Sequence, residues 1–204
     1  EIHGITNVVG GTTQRLNNAG GTLRLRKPSG GIVLELDYRP TDPWPVAAAG
    51  FGPSLVPARP SLGEADPAAW QASTRVGGSP GTADPDPESP FDGLVINEVV
   101  RNPVGTQQPF VELFNPAPFA RSLSGCTLRA GTNAPLSIAP GTTIGPGGWI
   151  RIETLGWVWT EDRMPVVLID AEQVRVIDAV EVPGQLPGTS AGRSPDGSPV
   201  WRPL

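Results

Sequence analysis

The pentapeptide Gly188-Thr-Ser-Ala-Gly192 has the G-x-S-x-G pattern, which in many hydrolases presents a nucleophilic serine, here Ser190. That chemistry requires a strand before the serine, a helix after it and a histidine that accepts the hydroxyl proton. Here Pro187 precedes the motif, and the turn-forming run Ser194-Pro-Asp-Gly follows it. The single histidine, His3, lies at the opposite end of the sequence. We therefore do not expect Ser190 to be catalytic.

The cysteine and the glutamates also lack the partners that catalysis requires. Cys126 lies inside the apolar run Leu123–Leu128, where a small buried thiol is the usual occupant. One cysteine and one histidine exclude an intrachain disulfide and a thiolate zinc site. Glu98 and Glu112 could form a general acid and base pair, but sandwich strands commonly carry carboxylates on a polar face. We therefore predict that the protein is not an enzyme and uses no metal or cofactor.

Trp157 and Trp159 are the candidate ligand-binding residues of the sequence. They flank Val158 and would project from the same face of an extended strand, forming a platform on which a sugar ring could stack. We favour the alternative that they cover the end of a hydrophobic core, because each tryptophan buries a large area. A carbohydrate-binding β-sandwich, with a surface polysaccharide as its partner, is the second functional hypothesis.

An acidic segment with proline at alternating positions occupies residues 82–93. Its carboxylates, Asp84, Asp86 and Glu88, are of the type that binds calcium, but a calcium site needs a glycine-centred loop that folds them around one point. The alternating prolines also prevent this segment from joining a central strand. We interpret it as an extended linker between two domains.

Composition limits the partners of the chain. Its formal charge of −5 and isoelectric point near 4.9 argue against nucleic acid, since phosphate backbones are bound by clustered Lys and Arg. Lys27 is the only lysine among 15 basic residues, and Ala, Gly and Pro are abundant, which indicates a GC-rich bacterial genome. No apolar run reaches the length of about 18 residues that predicts membrane insertion. The first residues lack a signal-peptide pattern, so we expect a mature chain or a piece of a longer one.

Short strands are the predicted secondary structure throughout. The 26 glycines and 25 prolines separate short β-branched runs, and the 38% of hydrophobic residues suffices for a core. Helical periodicity is nearly absent, apart from a turn or two at Glu64–Trp70. Turn signals recur about every 8 to 15 residues, as in a sandwich or barrel. The predicted strands of the second half are Leu94–Val100, Phe110–Phe114, Leu123–Ala130, Gly148–Glu153, Val166–Asp170 and Gln173–Val182, with a last edge within Ser190–Trp201.

Strict alternation predicts the directions of the side chains in the first of these strands. Val95, Asn97 and Val99 would share one face, and Ile96 and Glu98 the other. The mixed polarity of the first face indicates that Asn97 bonds to backbone groups at the rim of a sandwich.

An internal repeat divides the chain. The segment Leu23–Tyr38 aligns with Val166–Val182 as strand, turn and strand, and Ser54–Trp70 parallels Ser190–Trp201 with a longer insertion in the first copy. The first segment therefore matches only the C-terminal half of the second. The aligned pairs include Leu25 with Leu168, Val33 with Val176 and Glu35 with Asp178.

Five short motifs follow one another in the second half of the chain. They are Leu94-Val-Ile-Asn-Glu-Val-Val, Phe110-Val-Glu-Leu-Phe-Asn, Leu123-Ser-Gly-Cys-Thr-Leu, Ile138-Ala-Pro-Gly-Thr-Thr-Ile-Gly-Pro-Gly-Gly-Trp-Ile and Arg193-Ser-Pro-Asp-Gly-Ser-Pro-Val-Trp. In this order they resemble the signatures of the lamin-tail domain family. Residues 14–81 are similar to the C-terminal part of another copy in its bacterial form, without counterparts of the first two motifs.

The resemblance implies an immunoglobulin-like β-sandwich and, for bacterial copies, a place in large secreted or surface proteins. We accordingly predict an all-β chain with two such units in tandem. Residues 1–81 would be the C-terminal part of a first unit, 82–93 the linker and 94–204 a complete unit. The expected function is structural, scaffolding or adhesive, with other copies of the chain or flanking repeats as partners.

The incomplete first unit has two explanations. If the 204 residues are the whole chain, strands from a neighbouring copy would complete the unit, giving head-to-tail association and filaments. Alternatively, the missing strands precede Glu1 in a longer protein.

Overall fold

Antiparallel β-strands make up almost all of the regular structure in the computed structural model, which describes residues 4–6, 15–17, 19–41, 43–84, 89–160 and 162–204. The predicted all-β fold is therefore confirmed. The chain divides into two units, Glu1–Asp86 and Pro87–Leu204, and the division falls within the acidic segment interpreted as a linker.

The first unit contains two hairpins and three single turns of 3₁₀ helix in its described part. The strands are β1 (Gly21–Arg26), β2 (Ile32–Tyr38), β3 (Leu55–Pro57) and β4 (Trp70–Ala72), and the turns are Val46–Ala48, Pro60–Leu62 and Pro67–Ala69. Strand β1 pairs with β2, and β3 pairs with β4. The helical turns predicted at Glu64–Trp70 shorten to the last of these 3₁₀ turns, because Trp70 is already extended and begins β4.

The second unit consists of two main antiparallel sheets. Its strands are β5 (Val95–Val100), β6 (Phe110–Asn115), β7 (Arg121–Ser122), β8 (Thr127–Ala130), β9 (Leu136–Ser137), β10 (Thr143–Ile144), β11 (Gly148–Glu153), β12 (Arg163–Ile169), β13 (Val176–Pro183), β14 (Ala191–Arg193) and β15 (Trp201–Pro203). One sheet has the order β11-β6-β5-β14-β15 and the other β13-β12-β8-β9, while β7 and β10 form a separate pair.

Both sheets contribute to one hydrophobic core, giving a sandwich-like arrangement. Its buried members include Ile96, Val99, Val111, Leu113, Leu128, Val166, Leu168, Val180 and Val182. The longer strands match the predicted ones to within about three residues at each end, and the short strands β7, β9 and β10 were not predicted. The largest difference is that the strand expected from Leu123 begins only at Thr127. The cause is a turn at Gly125, whose φ of +76° favours glycine, closed by a hydrogen bond from the Cys126 N–H to the Leu123 carbonyl (3.0 Å).

A bulge in β5 overturns the predicted alternation of its side chains. The pairing with β6 shifts between Ile96 and Glu98, so that Ile96 and Val99 both point into the core. The extra residue, Asn97, accepts a hydrogen bond from the Gly197 N–H (3.1 Å), which agrees with the expected bonding of Asn97 to backbone. Its amide nitrogen also donates to Asp196 Oδ1 (3.0 Å).

Candidate functional site

Ser190 lies at the start of an edge hairpin. Its side chain is mostly buried, and its N–H and C=O pair with Leu204 at 3.5 and 2.9 Å. Strand β14 follows it, where a nucleophile elbow would have a helix. The one histidine, His3, lies outside the described residues. The arrangement that exposes a catalytic serine is therefore not formed around Ser190.

Glu98 and Glu112 face each other across the β5–β6 ladder. Glu112 is buried and accepts hydrogen bonds from Asn97 Nδ2 (3.2 Å) and Arg151 Nε (3.3 Å). The Arg151 guanidinium also lies 4.5 Å from the centre of the Phe110 ring. The Glu112 carboxylate is thus bonded within a network that joins β5, β6 and β11, as expected for a structural role.

Asp84 is the described member of the acidic triplet, since Asp86 and Glu88 lie outside the described residues. Its carboxylate accepts hydrogen bonds from the Ser73 hydroxyl, the Ser79 hydroxyl (2.7 Å) and the Thr74 N–H (3.0 Å). Burial alone would raise the pKa of Asp84, but these hydrogen bonds outweigh burial and lower it. Among the residues that the structure describes, no three His, Cys, Asp or Glu side chains converge as a metal site requires.

Cys126 is a free thiol buried in the core of the second unit. Burial raises the pKa of Cys126 to about 11, and the charges of Asp170 and Glu172 add to the rise. Because the thiolate is the reactive form, we expect this cysteine to react slowly in the folded protein.

We predict that iodoacetamide leaves Cys126 unmodified in the native protein near pH 8. At a pKa of about 11, only about one thiol in a thousand is ionised at that pH, and the side chain is covered by the core. In concentrated urea the same residue should be alkylated completely, as measured by the mass of the intact chain. Complete alkylation within minutes without denaturant would contradict a closed core around Cys126.

Trp157 and Trp159 lie in the segment between β11 and β12, which is not a strand. Their rings meet edge to face, with centroids 5.8 Å apart and planes inclined by 63°, and both pack against the core. The Trp157 indole N–H donates to the Ala134 carbonyl (3.1 Å), and the Arg101 guanidinium covers the Trp159 ring at 5.4 Å. The pair does not form the flat platform that sugar stacking uses. The most exposed tryptophan is instead Trp149, which stacks on Phe114.

A groove of about 520 Å³ opens on the first unit. Apolar side chains from both hairpins dominate its walls, among them Leu23, Leu34, Leu36, Tyr38, Leu55 and Trp70. Leu23 is 45% exposed, and the neighbouring Leu25 is 58% exposed. Covering the exposed half of one such leucine stabilises an association by about 1 kcal/mol, so this face is the candidate functional site of the protein.

The hairpin β1–β2 has the same pairing pattern as β12–β13. Both are antiparallel, with one register irregularity near the end of the first strand. Leu25 lies opposite Leu34, and its counterpart Leu168 lies opposite Asp178. Leu34, and not Glu35, therefore has the position that Asp178 has in the second unit. The alignment of the repeat predicted from the sequence is wrong by one residue in the second strand.

The hairpin β3–β4 corresponds in the same way to β14–β15. Pro57 lies opposite Trp70, as Arg193 lies opposite Trp201, and each first strand directly follows a serine. The groove of the first unit is thus lined by residues whose counterparts form or adjoin the core of the second. The corresponding pairs are Leu23 with Val166, Leu36 with Val180, Tyr38 with Val182 and Trp70 with Trp201.

A largely buried ion pair, whose arginine and aspartate side chains are 11% and 16% exposed, distinguishes the second unit. Asp178 Oδ2 and Arg193 Nη2 are 2.9 Å apart. The same carboxylate accepts from the Ile96 N–H (2.7 Å), and Arg193 Nε donates to the Ile96 carbonyl (2.9 Å). The pair thereby satisfies the backbone N–H and C=O of Ile96, next to the bulge. The first unit has Leu34 and Pro57 at these two positions, so it lacks both charges.

The sequence alone does not predict this ion pair. Its only signals were an acidic residue inside an apolar strand and an arginine at the head of the last motif, and neither shows that the two meet.

No protein-family model, curated protein or solved structure matches this chain. The lamin-tail resemblance therefore stays a prediction from the motifs alone. In the described part of the chain, no helix is long and apolar enough to cross a membrane.

Proposed function

We propose that this protein is a non-catalytic structural module that associates with further copies of itself through the open face of its first unit. In this proposal the chain is a tandem of lamin-tail-like, immunoglobulin-like units, the first of them incomplete, in a secreted or surface protein of a bacterium. Its role is to act as a scaffold or an adhesive element.

The single observation that carries this proposal is the nature of the groove. Its lining corresponds, strand by strand, to residues that lie in or against the core of the second unit, where β5, β6 and β8 supply further core residues. The described part of the first unit contains two hairpins and no strands of that kind. A leucine-lined face of this sort is costly to leave in water and is typical of an association surface.

The oligomeric state of the whole chain tests the proposal. We expect sedimentation velocity to show mass increasing with protein concentration. Leu23→Glu should weaken association roughly tenfold or more, because it places a charge where an apolar side chain would be covered.

Leu62→Glu is the matched control. Leu62 is 47% exposed, about as much as Leu23, belongs to a 3₁₀ turn of the same unit outside both hairpins and does not line the groove. This variant should therefore associate like the unchanged chain. A protein that remains monomeric at high concentration, or equal effects of the two substitutions, would overturn the proposal. Carbohydrate binding through Trp157 and Trp159 is less well supported, because neither indole offers an open, flat face.

A further inference from the structure

In the described part of the first unit, the outer edge of β3 is closed to strand addition. In β3, the Ser54 carbonyl accepts from the Ser73 N–H (2.7 Å), and the Ala58 N–H donates to the Ala69 carbonyl (2.8 Å). Because backbone groups alternate in direction along an antiparallel strand, Leu55 and Pro57 direct theirs away from β4. Pro57 has no N–H, and Pro53 precedes the strand. Prolines at these positions close an edge to pairing.

Strand β1, unlike β3, has an outer edge that is open to strand addition. It is six residues long, and all of it from Thr22 onward is exposed. In the second unit its counterpart β12 pairs on both sides, with β13 and with β8. Among the described residues, β1 and β2 form a sheet of two strands, so each has an outer edge without a neighbouring strand.

The outer edges of β1 and β2 are complementary in charge. In β1, Arg24 and Arg26 alternate with two leucines, of which Leu23 lines the groove. In β2, Glu35 and Asp37 alternate with leucines in the same way. Within the hairpin this pattern already pairs Arg24 with Glu35 through a salt bridge, while leucine lies opposite leucine on the other face. The outer edge of β1 therefore carries basic side chains between leucines, and the outer edge of β2 carries acidic side chains between leucines.

We propose that β1 of one copy pairs antiparallel with the outer edge of β2 in a second copy. The joined sheet continues the leucine face on one side and alternates basic and acidic side chains on the other. Different surfaces of the two copies meet, and the joined pair keeps one free β1 edge and one free β2 edge, so the association is head-to-tail and further copies can add to it. This inference rests on the proposed self-association and specifies the strands that perform it.

Charge reversal in complementary pairs tests the inference on the whole chain. The first variant carries Arg24→Glu and Arg26→Glu, so both strands of its hairpin are acidic. The second carries Glu35→Arg and Asp37→Arg, so both strands are basic. Each variant alone should associate roughly tenfold more weakly than the unchanged chain, because like charges would meet between copies. An equimolar mixture should recover association, since acidic edges then meet basic ones.

A synthetic peptide with the sequence of residues 32–38 provides a second test, which does not depend on the folding of the variants. Added to the unchanged chain, it should cap β1 and reduce the mass measured by sedimentation velocity. A scrambled peptide of the same composition should not. Self-association that persists in both reversed variants and with the peptide would overturn this inference while leaving the proposed function standing. A monomeric unchanged chain would overturn both.

Discussion

Replacing Arg193 with alanine is expected to lower the free energy of unfolding of the second unit by about 3–5 kcal/mol, the usual cost of removing one member of a buried ion pair. The substitution leaves the Asp178 carboxylate buried without its cation and the Ile96 carbonyl without its donor. Burial already raises the pKa of Asp178, against the opposing effects of Arg193 and the Ile96 N–H. Loss of the arginine removes the larger of these opposing effects.

Urea unfolding followed at Trp201 measures this loss, because that residue packs against the core of the second unit. Fluorotryptophan labelling with ¹⁹F NMR separates its signal from those of the other five tryptophans. Arg202→Ala is the matched control, since Arg202 is exposed on the neighbouring strand and should change stability by less than about 0.5 kcal/mol.

Removing both charges distinguishes an ion pair from simple loss of packing. Asp178→Leu with Arg193→Leu should cost clearly less than the two single leucine substitutions added together, because no unpaired charge remains. The first unit likewise has neither charge, because Leu34 and Pro57 occupy the two positions. Additive effects of the two leucine substitutions would show that the residues act independently.

Replacing Asn115 with leucine is the second change with a large expected effect, a loss of at least about 3 kcal/mol, because several buried groups lose their partners together. Asn115 is fully buried at the end of β6. Its amide nitrogen donates to three carbonyls, those of Phe119 (2.8 Å), Gly145 (3.0 Å) and Ile144 (3.3 Å). Its amide oxygen accepts from the Ala117 N–H (3.1 Å) and Arg121 Nε (3.0 Å).

Urea unfolding monitored at Trp201 also measures the effect of the Asn115 substitution. The exposed Asn102 provides the control, and Asn102→Leu should leave the midpoint nearly unchanged. The segment between β6 and β7 should in addition become sensitive to limited proteolysis, because Asn115 fixes its backbone. A stable Asn115→Leu protein with an intact segment would show that ordered water replaces the side chain there.

The sugar platform, the less favoured hypothesis for Trp157 and Trp159, depends on a local assumption. Trp157 and Trp159 share a face only if their segment is extended, and sequence alternation alone cannot establish that. The segment instead joins two strands, and its indoles pack against the core. The bulge at Asn97, which changes the faces of β5, could not be predicted for a related reason. The position of an extra residue in a strand depends on the groups that bond to it, and one of these, the Gly197 N–H, lies a hundred residues later in the chain.

The sequence by itself determined the all-β class, the positions of most strands and the correspondence between the two hairpin pairs. These features depend on local signals, namely alternating apolar residues and the glycines and prolines that end each strand. Only the tertiary structure decided that Asp178 meets Arg193, that Asn115 gathers five backbone and side-chain partners, and that the repeat is offset by one residue at Leu34. It also decided that the leucines of the first unit line an open groove, because burial depends on which strands pack over a hairpin and not on the hairpin's own residues.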